Sequence, residues 1–599
     1  MRLAIVAAAL VLGLTGCATP SAPPKQAQEV GTALPEPVAA TSGDDYLQQA
    51  REASVQQQPE LLLQAIERWQ VQQECTKALK VARVLIQEPL AQEQQDRLYL
   101  AQGFCFLQQE QHELAQDALE AVSQNLQFLP QRWRLTAELH QAKGQHWQAA
   151  HARAEVISLN PGALEQQLTP LWQNLQQISD EDLQQTTSGP VRPWVELARI
   201  SRQPAKRMLN AVGNWQQSYP QYPLPESLVP LLERPAYHPR HIAVLLPLSG
   251  RLTAQGNALK QGMLSAYFED VSGNKPKLTF LDTNLFEQAK QQLRQGDYDF
   301  VIGPLLRDNI LDYLNPSEQR PVDAAVNLPQ LFLNRLEQPV RASDEQYFYA
   351  LAPEDEAEQL VSDLLSQGRQ HPIIISADGS PYQRMASHFV QVWQQKTGQQ
   401  LPLATFTDNA SMRDVVGEAL SVAQSENRIR LMQRLVEGNE VYHFARNRRD
   451  LDAIVLFASA GQTELLNPII ESNISPFARI LPVYASSNSY SQELGPNSLR
   501  DLHNLNFIDM PWILADADQP LKQQVQRLWP QRHDSQARLF AMGHDALAMI
   551  SSLRQLAEIP GMTLQGLTGK LTMDGQGQLH RQLSQARITV DKVQRLDGD

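Results

Sequence analysis

The sequence predicts an all-α helical array followed by a two-lobed α/β module, and three observations carry that prediction. From Asp44 to about Gln217 the chain is rich in Gln, Ala, Leu and Glu, poor in glycine, and repeats its apolar residues at helical spacing. Prolines at 220, 223, 225, 230, 235 and 239 then crowd the stretch from Ser218 to Pro239, which prevents helix and predicts a semi-rigid connection. From Arg240 short apolar runs alternate with helix-like stretches, the grammar of parallel strands in doubly wound domains. The 360 residues from 240 to 599 exceed what one sheet's core holds, so two lobes are expected.

The amino terminus reads as an export signal. Arg2 precedes the apolar run from Leu3 to Leu12, too short for the roughly 20 residues that span a bilayer as a helix. Leu14-Thr15-Gly16-Cys17 follows, and it resembles the lipobox of bacterial lipoproteins. The resemblance implies a signal peptide over 1–16, a diacylglyceryl group on the Cys17 thiol, and cleavage that leaves Cys17 as the first mature residue. Several acyl chains on one residue hold firmly where a single chain binds marginally. Ala18, in place of the aspartate that retains such proteins at the inner membrane, implies the outer membrane. Residues 17–43 are small and Pro-rich and cannot bury a core, so they form a lipidated flexible tether with a reach on the order of 30 Å as a coil.

Within the helical domain, 44–217, Tyr99, Gly103 and Ala115 recur 34 residues later as Trp133, Ala137 and Ala149, with Pro161 closing the second unit. That is tetratricopeptide spacing, in which small residues let paired helices approach and aromatics fill the gap. Ala65, Trp69 and Val81 fit the pattern poorly, so the reading is two repeat units within an irregular solenoid, with a non-repeating helical array as the alternative. Setting Cys17 aside leaves Cys75 and Cys105, an even pair that an oxidising compartment favours as a disulfide, two buried thiols being the alternative.

Past the linker, 218–239, the α/β module occupies 240–599. His241 to Leu246 is a continuous apolar run stopped by Pro247 and Gly250, and a helix is expected from Gly256 to Phe268. Further strands are expected at Leu278 to Leu281, Phe300 to Ile302, Gln330 to Leu333, Ile373 to Ser376, Ala404 to Thr407, Ala453 to Phe457, Ile480 to Tyr484 and Asn506 to Ile508.

Ile242-Ala-Val-Leu-Leu-Pro-Leu-Ser-Gly250, with Gly256 and Gly262-Met-Leu-Ser-Ala-Tyr267, resembles the opening of type I periplasmic-binding-protein domains. Phe300-Val-Ile-Gly-Pro304 is similar to their third strand, and Asp452 to Phe457 and Gly566 to Gly577 to a later strand and the closing hairpin. With the lipobox and the tetratricopeptide-like helices, the order of these motifs resembles the penicillin-binding protein activator LpoA family over nearly the whole chain. That resemblance implies an outer-membrane lipoprotein, facing the periplasm, that binds a class A bifunctional penicillin-binding protein and stimulates its transpeptidase in peptidoglycan synthesis. The alternative is a lipid-anchored small-ligand receptor, whose cleft at the carboxyl ends of the strands would offer Ser249 and Arg307 to an anion. Leu305-Leu306-Arg307 departs from the hydroxyl-bearing loop that amino-acid receptors place after the third strand.

No enzyme signature, cofactor or metal motif stands up. Ser272-Gly-Asn-Lys275, Lys396-Thr-Gly398 and Ser486-Ser-Asn488 imitate the acyl-serine enzymes of penicillin binding. Ser272 lies in turn chemistry and not at a helix start, Lys396 ends a helix, and the order is wrong. Gly569-Lys570 lacks the following Ser or Thr of a phosphate loop, and His544-Asp545 reads as a capping or surface pair. With 51 basic against 65 acidic residues, the formal charge of −14 speaks against nucleic acid. One segment runs the other way: Arg428, Arg430, Arg434, Arg446, Arg448 and Arg449, interleaved with Tyr442, His443 and Phe444. It is expected to be either a solvated surface or a docking patch, with Arg446, Arg448, Arg449, Tyr442 and Phe444 as its contacts.

Overall fold

The computed structural model describes residues 42–184, 188–233, 236–271, 273–314, 328–336, 343–436, 443–493, 495, 497–515, 519–530 and 533–596. Cys17, the signal and all but the last two residues of the tether lie outside the described residues, as do Ser272 and Tyr442. The chain divides into two compact units, Met1–Gln109 and Glu110–Asp599.

The first unit is built from the helices Gly43–Glu52, Gln58–Val71, Cys75–Leu85 and Gln92–Gln108. Ser42 opens it with a capping box: its hydroxyl accepts the Asp45 N–H at 3.2 Å, and the Asp45 carboxylate accepts the Ser42 N–H at 2.9 Å. The core runs through Leu63, Ala65, Trp69, Ala78, Ala82 and Leu98. Ala65 and Trp69 reverse the large and small positions of Tyr99 and Gly103, and the space for the indole comes from Gly43, where a Cβ would fall below 3.0 Å from the Trp69 ring. A helix pair therefore exists where the repeat pattern is poor.

Cys75 and Cys105 are bonded, their Cα atoms 5.1 Å apart and both side chains buried. Closing a loop of this length stabilises by about 3 to 4 kcal/mol on the chain-entropy model. Non-reducing peptide mapping should recover the linked pair, and reduction should lower the stability of this unit by about that amount; free alkylation of both thiols in folded, oxidised protein would refute the bond.

The second unit begins with helices His112–Ala121, Leu129–Ala142 and His146–Leu159, where Ala137 and Ala149 are fully buried and Trp133 lies 6.0 Å from the His151 ring. Helices Leu164–Gln177, Arg192–Ser201 and Ala205–Ser218 continue the array. Packing does not stop at the prolines. Trp172, Trp194 and Trp215 share one buried cluster with Leu228, Leu231 and Tyr237 and with Leu246, Phe300, Tyr347 and Ile559 of the α/β module. The Tyr237 ring stands edge-on to Phe300, and its hydroxyl meets that of Tyr347 at 3.0 Å. Gln555 donates to the Ser201 and Gln203 carbonyls, and the Thr563 hydroxyl to Asp180 at 2.7 Å, so polar groups cross the same seam.

Two mixed sheets form the module. The first contains β1 (His241–Leu246), β2 (Lys277–Asp282), β3 (Phe300–Ile302), β4 (Gln330–Phe332) and β5 (Gln346–Tyr349). The second contains β6 (Pro372–Ala377), β7 (Leu403–Phe406), β8 (Ala453–Phe457), β9 (Val483–Ala485) and β10 (Leu505–Asp509). The last strands, β11 (Leu564–Gly566), β12 (Gly569–Met573), β13 (Gln578–Gln582), β14 (Ser584–Ile588) and β15 (Val593–Arg595), are shared out between them. The orders are β11-β12-β13-β5-β4-β3-β1-β2 and β15-β14-β10-β9-β8-β6-β7. Strands β1 to β5 and β6 to β10 pair in parallel, while β11–β12, β12–β13, β10–β14 and β14–β15 are antiparallel. The chain thus passes between lobes three times: after β5, after β10, and through Leu583 between β13 and β14. Helix Thr253–Glu269, over β1, packs tightly on Asp534–Ala548, which returns the chain from the second lobe.

Several strands differ from expectation. β5 is absent from the sequence reading, as are β13, β14 and β15, which follow the expected closing hairpin, and β9 begins at Val483 rather than Ile480, which stays outside the sheet and is 78% exposed.

Candidate functional site

Two surfaces could carry function. The first is a cavity of about 630 Å³ between the lobes. It is lined by residues just past β3 (Leu305, Arg307), β4 (Asn334, Arg335) and β5 (Ala350 to Glu354), with Arg384 from the second lobe. This is where strand carboxyl ends place a ligand in an open α/β fold. Its polar groups, however, already have partners. Arg335 makes a bidentate pair with Asp355 at 2.8 and 3.0 Å, Arg384 pairs with Glu354, and Asn334 donates to the Leu305 carbonyl at 3.0 Å. No Ser or Thr is among its described lining residues; Ser380 and Ser387 line a neighbouring hollow of about 590 Å³ that shares Glu354 and Arg384.

The structure places Arg307 on that cavity and leaves Ser249 off it. Ser249 is exposed after β1, its hydroxyl and carbonyl both accepting from the Asn284 side chain. The adjoining Asp282 accepts the Leu248 and Asn284 N–H groups at 2.9 and 3.0 Å. Ser249 therefore organises its own loop. The other candidates for chemistry are dispersed. Lys396 lies on helix Ser380–Thr397, which stops at Gly398 with φ +72°, and Ser486 is buried beyond β9. Asp545 is buried and accepts the Leu567 and Thr568 N–H groups at 2.8 Å and the Thr568 hydroxyl at 2.6 Å, while His544 turns to Glu269 at 2.9 Å. Among the described residues there is no cluster of His, Cys, Asp or Glu able to hold a metal, and no helix long and apolar enough to cross a membrane.

The second surface holds the arginine-rich segment. Helix Val422–Leu435 shows Leu431, Met432 and Leu435 to solvent, each more than half exposed. The loop after it is tied to that helix and to the turn before it, since the Ser425 hydroxyl accepts the Arg446 N–H at 3.0 Å and the Leu420 carbonyl, just ahead of the helix, accepts the Arg448 N–H at 2.9 Å. Arg446 and Arg449 are exposed, whereas the Arg448 guanidinium binds Asp450, which raises its pKa and lowers that of the carboxyl. Phe444, 61% exposed, meets Phe477, 77% exposed, edge to face with centroids 5.6 Å apart. Phe477, Arg479 and Ile480 were missed as members of this surface; Ile480 looked like strand because it adjoins the apolar run into β9.

The geometry defines a class: a helical array joined to a two-lobed type I periplasmic-binding-protein-like module, with two mixed sheets, three crossings and an interlobe cavity. A family model described as "LppC putative lipoprotein" matches residues 36–590. The chain is similar to the protein named penicillin-binding protein activator LpoA in Photobacterium profundum, at 30% identity over 77% of this chain and 76% of that one. The protein of the same name in Vibrio cholerae is 26% identical over 97% of each. Two crystal structures of LpoA from Haemophilus influenzae share the fold, with TM-scores of 0.63 and 0.58 at 20% identity, covering 94% and 93% of this chain and 98% and 99% of theirs. The chain belongs to the LppC lipoprotein family, the family of LpoA.

Proposed function

We propose that this chain is an outer-membrane lipoprotein, held by acylated Cys17, that binds a class A penicillin-binding protein from the periplasmic side and stimulates its transpeptidase without catalysing a reaction itself. The observation that carries the reading is membership of a family whose curated relatives are named penicillin-binding protein activators. The arginine-aromatic surface of the second lobe supports it as the docking face. It combines unpaired guanidinium groups, which steer encounter, with exposed aromatic rings, which anchor contact. The interlobe cavity supports the receptor alternative less, because its arginines and carboxylates satisfy one another.

The test uses the full chain without its lipid, added to a purified class A synthase. Transpeptidation should rise. Arg446→Glu together with Arg449→Glu should slow association about tenfold at low salt and flatten its salt dependence, because rim charges act mainly on the on-rate. Arg448 is left intact because reversing it would set two carboxylates side by side with Asp450. Unchanged association in the double variant would remove this face from the reading, and absence of any stimulation by the wild type would overturn the function.

A further inference from the structure

We infer that the second lobe carries a binding site for a short acidic, apolar-bearing peptide segment of a protein partner, in an arginine-lined pocket at the pole opposite the interlobe cavity. The pocket has a volume of about 750 Å³, within the roughly 300–1,000 Å³ of small-ligand sites. Its walls are the residues just before the strands: Arg369 ahead of β6, Arg448 to Asp452 ahead of β8, Arg479 to Pro482 ahead of β9, and His503 and Asn504 ahead of β10. The interlobe cavity is lined from past the carboxyl ends of β3, β4 and β5, so this pocket, ahead of the amino ends of β6, β8, β9 and β10, shares no lining residue with the ligand position the fold class provides.

Charge sets the occupant's chemistry. Five arginines, Arg369, Arg448, Arg449, Arg479 and Arg587, line one pocket of a chain whose formal charge is −14. Three carboxylates share it: Asp450 is bound to Arg448, Asp452 accepts the Gln370 and His371 N–H groups at 2.5 and 3.0 Å, and Glu471 is exposed. The side chains of Arg369, Arg449, Arg479 and Arg587 have no hydrogen-bond or ion-pair partner among the described residues. The Arg369 Nε is closed off from water and donates to nothing, so an occupying carboxylate would meet the terminal nitrogens of that guanidinium. Apolar residues supply the rest: Ile470 and Leu481 are buried in the wall, and Phe477 and Ile480 stand exposed at the mouth. A free inorganic anion would leave those groups uncovered, whereas a carboxylate flanked by apolar side chains covers both.

The pocket continues the docking face, since Phe477 lines it and packs on Phe444. The inference rests on the docking reading only in taking a protein partner as the source of the segment. It is tested on the full chain by fluorescence anisotropy, with a labelled peptide of sequence Asp-Phe-Glu-Leu carrying free carboxylates and its neutral counterpart Asn-Phe-Gln-Leu amide. The acidic peptide should bind saturably and more weakly as salt rises, and the neutral one at least tenfold more weakly. Arg479→Gln with Arg587→Gln, both at exposed positions, should cost the acidic peptide at least tenfold. Equal binding of the two peptides, or wild-type binding by the double variant, would overturn the site. Displacement by inorganic phosphate at concentrations comparable to the peptide would overturn the peptide assignment in favour of a general anion site. If the variant loses the peptide yet associates normally with the synthase, the partner assignment falls while the rim, tested through Arg446→Glu alone because Arg446 does not line the pocket, stands on its own result.

Discussion

Gly262→Ala should unfold the module at markedly lower denaturant, by about 3 kcal/mol or more, although alanine favours helix over glycine by about 1 kcal/mol. Helices Thr253–Glu269 and Asp534–Ala548 cross with their backbones in contact, and the contact is reciprocal. A Cβ on Gly262 would fall below 3.0 Å from the Phe540 carbonyl oxygen, and a Cβ on Gly543 equally close to that of Leu259. Neither obstacle is a side chain that could turn away, so the helices must separate and strip cover from Leu259, Met263 and Met542 in the shared core. Gly213→Ala is the control of opposite sign: it sits in helix Ala205–Ser218 with no atom within 4 Å of its Cβ position, and should gain up to about 1 kcal/mol. Urea titration of the three proteins decides it, and an unchanged midpoint for Gly262→Ala would show that the helices are not held in backbone contact.

Such a crossing was not legible as a contact, because Gly262 and Gly543 are 281 positions apart and each reads locally as a weak point in a helix. What could be read was set by local physics. Ile242 to Leu246 and Ala453 to Phe457 are buried on both faces, and parallel strands covered that way show as unbroken apolar runs. β5 escaped because Gln346-Tyr-Phe-Tyr349 opens on a polar residue and has no aliphatic run, although all four are buried. The candidate surface divides in the same way. Arg446, Arg448, Arg449 and Phe444 were found through their density along the chain. Arg369, Phe477, Arg479 and Arg587 come from three other segments, and only the order β14-β10-β9-β8-β6 brings them to one pole. Ser249 was picked by analogy of position, and the Asn284 side chain that engages it is 35 residues away.

Asp355→Asn should cost about 3 to 5 kcal/mol, the range for removing one partner of a buried ion pair. Asp355 opens the helix Pro353–Ser366 that carries the chain from the first lobe to the second, and it collects groups from two segments, the residues after β4 and strand β13. The Arg335 guanidinium donates to it twice, the Arg581 N–H donates at 3.2 Å, and the His580 Nδ1 lies 3.0 Å away, with Asp574 on the other ring nitrogen at 3.3 Å. Burial pushes the Asp355 carboxyl up, but His580 and Arg335 prevail and hold it below the ordinary aspartate range. The hydrogen bonds to Asp355 and Asp574 push the His580 imidazolium up to about 9, against burial and repulsion from Arg335. A folded-state value above the unfolded one, near 6.5, means that the histidine's contribution is complete below pH 6.5 and lost as pH rises through 9. For a ring 37% exposed, solvent screening reduces that contribution to about 1 to 2 kcal/mol. The aspartate's contribution has the opposite sign and is lost on acidification, through and below pH 4, so the network should be strongest between about pH 4 and 6.5. Urea midpoints measured at pH 6 and pH 9 should therefore fall for the wild type and change less for His580→Gln and Asp355→Asn, which lack the titrating pair. An equal alkaline loss in all three would place it in other groups and sink the assignment to this network.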